Sequence, residues 1–104
     1  EVFCELALKL GISAKLRFHA EVDIWFYINA GSDRGSAKYI FAGYFNGSSS
    51  ATQRYDVFNT DTDNIGVPVL YTSGSQKGIK AQFTNSDNNY DLYGQMKVNV
   101  TWNP

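Results

Sequence analysis

The first third of the chain carries an apolar side chain at every even-numbered position from Cys4 to Ala30. Such alternation is typical of a β-strand with one dry face, because successive side chains of a strand point to opposite sides. A single strand of that length would span roughly 90 Å at about 3.3 Å per residue, whereas a compact domain of this size has a radius of gyration of about 13 Å. We therefore expect the run to break at Gly11 and to reverse near residues 19–21.

The segment before Gly11 fits two kinds of structure. Glu5 and Lys9 stand four residues apart with the acid first, which favours a helix over residues 2–10, and Gly11 suits the position just past its end. A strand over residues 4–10 remains open. In either form the segment has more apolar surface than one face of a sheet requires, so we predict that a second chain covers it. The predicted dimerisation residues are Val2, Phe3, Leu6 and Leu10.

From Ala14 onward the pattern is that of β-strands separated by turns rich in Gly, Asn, Asp and Ser. Strands are predicted at residues 23–30, 39–45, 53–58, 67–72, 78–84 and 95–102. Short strands about 12 residues apart are typical of a β-sandwich. We predict a mainly β fold with residues 1–104 as one domain, namely a single antiparallel β-sandwich of the fibronectin III or immunoglobulin-like type with a short N-terminal helix.

The composition excludes several classes of protein. Charged residues make up 18% of the 104 positions and the net charge is −1, which gives no electrostatic footprint for nucleic acid. No stretch approaches the roughly 20 apolar residues of a membrane span. Cys4 is the single cysteine, so it cannot form an internal disulfide, and we interpret it as a small buried hydrophobic residue.

The sequence offers little material for catalysis. His19 is the single histidine, and no second His or Cys completes a nucleophilic or zinc-binding set. We therefore predict a protein that is not an enzyme and has no cofactor. An oxygen-rich stretch near the end could hold calcium, which takes six to eight oxygen ligands, although ordinary turns are the favoured interpretation. Its candidate ligands are Asp87, Asn89 and Asp91.

Aromatic residues make up 15% of the chain, more than a core of this size must hold. Trp25 and Tyr27 replace charges on the outward side of their strand. Aromatic rings beside amide and hydroxyl groups suit sugars, whose C–H faces stack on rings, although Tyr and Trp are also ordinary strand residues. The predicted ligand-binding set is Trp25, Tyr27, Arg34, Ser36, Tyr39, Gln95 and Trp102.

Several short stretches resemble the fungal immunomodulatory proteins, a family of small mushroom proteins with lectin-like behaviour. Residues 3–10, FCELALKL, are placed like the amphipathic N-terminal segment of that family. The other stretches fall in family order and are Arg34-Gly35, Tyr39-Ile40, residues 64–67 (NIGV), residues 74–77 (GSQK), Gln82-Phe83 and residues 96–101. Together they touch about half of the chain.

The resemblance implies a fibronectin-type β-sandwich with an N-terminal helix exchanged between two subunits. It also implies an agglutinating, immune-cell-stimulating protein that binds sugars and is either secreted or kept in the fungal cytoplasm or fruiting body. Ser36, Gln95 and Met96 align with positions of the family's sugar site. Ser32 and Phe41, by contrast, stand where the family has a Trp and an Asp.

Two functions follow as hypotheses. The first is a lectin-like homodimer that recognises glycans or cell-surface glycoproteins and cross-links cells through its two sites. The second is a structural assembly module, such as a pilin or coat subunit, in which residues 6–18 or 95–102 complete a neighbour's sheet by strand addition.

Overall fold

The computed structural model describes residues 2–9, 16–28, 34–46, 49–73, 76–85 and 90–103. Across these residues the chain forms seven strands and no helix. The strands are β1 (Val2–Lys9), β2 (Leu16–Ile28), β3 (Arg34–Asn46), β4 (Ser49–Asn59), β5 (Val69–Ser73), β6 (Gln76–Asn85) and β7 (Leu92–Asn103). Every strand pairing is antiparallel. The prediction of a mainly β, antiparallel fold is confirmed.

The strands form a four-stranded sheet in the order β4-β3-β2-β7 and a three-stranded sheet in the order β1-β6-β5. In immunoglobulin domains the second strand lies between the first and the fifth. Here β6 takes that place, and β2 lies in the other sheet between β3 and β7. The immunoglobulin-like order is therefore not observed. Instead β2, β3 and β4 pair as sequence neighbours, which is the usual outcome of short connections.

The even-numbered apolar run divides between the two sheets. Strand β1 replaces the helix predicted for residues 2–10, so the strand alternative is the one that the structure adopts. Its Cys4, Leu6 and Leu8 pair with buried residues of β6, which accounts for apolar residues at every second position. Leu10 and Gly11 lie outside the described residues. The reversal predicted near residues 19–21 is wrong, because β2 runs unbroken from Leu16 to Ile28.

One hydrophobic core draws on both sheets. It consists of Phe18, Ala20, Val22, Ile24, Phe26, Ile28, Ala37, Tyr39, Phe41, Ile65, Ile79, Ala81 and Phe83. Two of its rings, Phe26 and Phe83, meet edge to face with their centroids 6.3 Å apart. Phe26 pairs with Gly35 on one side and with Gly94 on the other. These two glycines leave room for the rings, since an added Cβ would lie 2.5 Å from Phe26 at Gly35 and 2.7 Å from Phe83 at Gly94.

The connection from β4 to β5 crosses between the sheets and is fixed by hydrogen bonds. The Asn59 side-chain amide donates to the Tyr39 hydroxyl at 2.9 Å and to the Ile65 carbonyl at 3.1 Å, and its oxygen accepts from the Asp61 amide at 2.9 Å. Ile65 then forms an isolated bridge with Phe83. Asn59 thus ties the end of the four-stranded sheet to the crossing segment.

We expect Asn59→Ala to lower the free energy of unfolding by about 1–2 kcal/mol. The substitution leaves the buried Tyr39 hydroxyl and the Ile65 carbonyl without their donor, and each such loss costs about 1 kcal/mol. Thr62→Ala, at an exposed position of the same connection, is the matched control and should change stability by less than about 0.5 kcal/mol. Urea denaturation followed by tryptophan fluorescence measures both. Equal stability of the two variants would contradict this role.

Candidate functional site

Much of the predicted ligand-binding set lies in two neighbouring rows across the outer face of the four-stranded sheet. In the first row Trp25 of β2 pairs with Ser36 of β3 and Gln95 of β7. In the second row Tyr27 pairs with Arg34 and Tyr93 in the same way. Directly paired residues of antiparallel strands project to the same side of a sheet. The rows therefore make one surface, on the side of the sheet opposite the buried even-numbered residues of β2.

The aromatic residues of this surface border a shallow cleft. Tyr27 and Tyr93 stack with their ring centroids 5.1 Å apart and their planes 23° from parallel. Trp25, Tyr27 and Tyr93 remain 39%, 50% and 45% exposed, so a ligand can reach all three rings. The cleft measures about 410 Å³ and is lined by Trp25, Tyr27, Leu92, Tyr93, Gly94 and Gln95. We call it the aromatic cleft. Its volume lies within the usual range of small-molecule sites, about 300–1,000 Å³.

The backbone of the Ser36 row is fixed from outside the sheet. The Ser36 carbonyl accepts hydrogen bonds from the Thr60 amide at 2.9 Å and from the Thr60 hydroxyl at 3.1 Å. The Ser36 amide donates to the same hydroxyl oxygen at 2.9 Å. These three hydrogen bonds anchor β3 beside Trp25 and so support the surface next to the cleft.

Two members of the predicted set do not join the aromatic cleft. Tyr39 is a core residue, only 2% exposed, because odd-numbered residues of β3 point inward, so its side chain does not line the cleft. Trp102 pairs with Phe18, seven positions along β2 from Trp25, or roughly 23 Å away. The Trp102 side chain lies outside the described residues. Tyr93 was not in the set, although its position opposite Tyr27 makes it a central part of the cleft.

Charged residues occupy the next rows of the same face. Lys38 Nζ lies 3.4 Å from Glu21 Oε2 and 3.8 Å from Asp23 Oδ1, and Lys97 pairs with Asp23 on the other side. These partly exposed pairs contribute little to stability. They do place a polar border beside the two aromatic rows. Within those rows, Arg34 is the one charged residue.

A separate ion pair lies at the edge of the sheet, away from the cleft. Arg54 and Asp56 of β4 are two residues apart and contact each other through two hydrogen bonds, at 2.6 and 3.3 Å. The hydrogen bond to Asp56 raises the pKa of Arg54, which therefore stays charged. Both side chains are exposed, and the pair places charges on the edge strand of the four-stranded sheet.

The remaining predicted positions are only partly described. Val2, Phe3 and Leu6 lie on β1, whereas Leu10 is outside the described residues. Of the calcium candidates, Asp91 is exposed, and Asp87 and Asn89 fall outside the described part. Within that part, no three His, Cys, Asp or Glu residues come together as a metal site. Nor do the described residues include a helix long and apolar enough to cross a membrane.

Comparisons with protein-family models, with curated proteins and with solved structures give no match to this chain. The chemistry of the aromatic cleft therefore rests on its own residues. Its lining offers ring faces, one amide side chain and backbone groups, while Arg34 and Ser36 stand at the β3 side of the same rows. Such a surface can stack on a flat apolar face and hydrogen-bond the groups around it.

Proposed function

We propose that this protein is a non-enzymatic, lectin-like protein that binds glycans in the aromatic cleft. The observation that carries the proposal is the stacked pair of Tyr27 and Tyr93 with Trp25 beside it, all three open to solvent. Exposed aromatic side chains also occur elsewhere on the described surface, as at Tyr55 and Phe58, but a cluster of exposed rings at one cleft is typical of a binding site. Three rings kept at one accessible cleft are better explained by a ligand that covers them.

The arrangement of polar groups favours a saccharide. A pyranose ring has an apolar C–H face, which can lie on an aromatic ring, and hydroxyls around its edge, which need donors and acceptors. The Gln95 amide supplies both, and the Ser36 hydroxyl does the same. Because they are the register partners of Trp25 on its two sides, a sugar stacked on the indole would have polar groups at both edges.

We also propose that the two sheets pack as a β-sandwich, with the strand order described above in place of the immunoglobulin one. The core shared by β2, β3 and β6 supports this arrangement. It leaves the outer face of the four-stranded sheet free for the ligand. The cleft would then sit on a rigid face, not on loops, and would need little ordering on binding.

A homodimer formed through the N-terminal segment would carry two such clefts. Two sites on one particle convert weak binding to a single glycan into avidity for a cell surface. This is the basis on which we propose agglutination of cells and, through cross-linked cell-surface glycoproteins, an immunomodulatory activity of a secreted protein. The second candidate, an assembly subunit, is favoured by the open edges of β1 and β7, either of which could accept a neighbour's strand.

The test is a glycan array probed with the wild-type chain, with and without EDTA, and then with Trp25→Ala. For a glycan that the wild type binds, Trp25→Ala should weaken binding roughly five- to thirtyfold, since stacking on one ring contributes on the order of 1–2 kcal/mol. Tyr55→Ala, which removes an exposed ring of β4, is the control and should bind normally. Unchanged binding by Trp25→Ala would refute a ligand site at the cleft.

A further inference from the structure

Among the described strands, four lie at the edge of a sheet, namely β1 and β5 in the three-stranded sheet and β4 and β7 in the four-stranded sheet. Open edges invite pairing with another chain, and proteins protect them with short strands, bulges and charges. β5 is short, with five residues. β4 is interrupted by a bulge opposite Lys38 and Tyr39 and carries the Arg54–Asp56 pair. These two edges are protected, whereas β1 pairs with β6 in a continuous register over eight residues.

The sequence of β1 is complementary to itself. If two copies align antiparallel with Ala7 facing Ala7 of the partner subunit, then Leu6 faces Leu8 of the partner subunit. In the same register Glu5 faces Lys9 of the partner subunit, and by symmetry Lys9 faces its Glu5. Opposite charges at directly paired positions of antiparallel strands are stabilising. The charges of β1 therefore select one register.

The other continuous edge lacks this property. β7 contains one charged residue, Lys97, so no antiparallel self-pairing of β7 can bring opposite charges together. Inside the subunit, moreover, Glu5 pairs with Gln82 and Lys9 with Gly78. In the register centred on Ala7, a second copy would place an opposite charge at the position that faces Glu5 and at the position that faces Lys9.

We infer that two copies of this chain join through their β1 edges, antiparallel and centred on Ala7, into one continuous six-stranded sheet. The inference rests on the proposed dimer and specifies how it forms. Such an interface is isologous, so it closes at two subunits and does not polymerise. Backbone hydrogen bonds between the two edges supply the attraction, and the Glu5–Lys9 pairs fix the register.

Charge exchange tests the pairing by sedimentation velocity across a concentration series. E5K places a lysine opposite Lys9 of the partner subunit, and K9E places a glutamate opposite Glu5 of the partner subunit. Each variant alone should dimerise at least about tenfold more weakly than wild type, since two symmetric pairs change from attraction to repulsion. The double variant E5K/K9E, and a one-to-one mixture of E5K with K9E, should both recover the dimer.

Cross-linking checks the register independently. In a C4S background, A7C should give a disulfide-linked dimer under mild oxidation, because facing residues of antiparallel strands have the Cα separation that a disulfide needs, about 4.4–6.8 Å. The wild-type Cys4 should not cross-link, since the two Cys4 positions would stand six residues apart, or roughly 20 Å.

Three outcomes would overturn the inference: a wild-type monomer at all concentrations, charge variants that dimerise like wild type, or polymers that grow with concentration. None of these outcomes would contradict the proposed glycan site, which is tested separately by measuring glycan binding of Trp25→Ala. If the inference holds, the single charge variants should keep their affinity for a monovalent sugar and lose agglutination.

Discussion

Phe83→Ala should lower the free energy of unfolding by about 3–5 kcal/mol, a large part of the roughly 5–15 kcal/mol that holds a small domain together. Phe83 is fully buried, packs edge to face on Phe26 and pairs through the bridge with Ile65. Its ring therefore joins β6, β2 and the segment that crosses between the sheets. Removing the ring opens a cavity that the surrounding strands cannot fill without shifting.

Phe58→Ala is the matched control, because it makes the same chemical change on an exposed residue of β4. We expect its cost to stay below about 1 kcal/mol. Chemical denaturation of both variants, followed by circular dichroism and by tryptophan fluorescence, gives the comparison. Similar losses for the two variants would mean that the sheets do not share a core at Phe83.

The alternation of apolar residues predicted most of the strands, but neither all of their bounds nor their partners. Every even-numbered residue from Phe18 to Ile28 is buried, as the pattern predicts. The pattern contains no information on which strands pair, however, because β1, β2 and β6 all present an apolar face. The sequence therefore could not predict that β6, and not β2, lies between β1 and β5.

Two local features could not be deduced from the sequence, because the apolar pattern at these positions fits more than one structure. Residues 2–10 are apolar on most sides, so a helix and a strand fit equally well. Pairing with β6 along the whole of β1 is what selects the strand. On β3, Tyr39, Ile40 and Phe41 are consecutive and apolar, so the inward side could not be identified. Tyr39 faces inward because it pairs with buried Val22.

The candidate site could be predicted only in part. Trp25 and Tyr27 occupy outward positions on a strand whose inward positions are unambiguous, and both are exposed. The stacking of Tyr27 with Tyr93 was not predictable, because it depends on the register between β2 and β7, which lie far apart in sequence. Long-range register thus turns scattered aromatic residues into the aromatic cleft.

Gly94→Ala should lower the free energy of unfolding near the upper end of the roughly 1–3 kcal/mol that overpacking costs. The added methyl carbon would lie 2.7, 2.8 and 3.0 Å from three ring atoms of Phe83, closer than carbon atoms pack. Phe83 cannot swing away, since its ring is fully buried against Phe26. The backbone of β7 must move instead, and with it Tyr93 and Gln95 of the cleft.

A double-mutant cycle separates this clash from a general intolerance of alanine in β7. Phe83→Leu shortens the side chain that meets the new methyl, so Gly94→Ala should cost much less in the Phe83→Leu background than in wild type. The expected coupling is at least about 1 kcal/mol, measured by urea denaturation of the four proteins. If the losses in unfolding free energy of the two single variants simply add in the double variant, the cost of Gly94→Ala does not come from contact with Phe83. Since Gly94 lies between Tyr93 and Gln95, the same cycle read by sugar affinity would reveal how far the core beneath the cleft sets its shape.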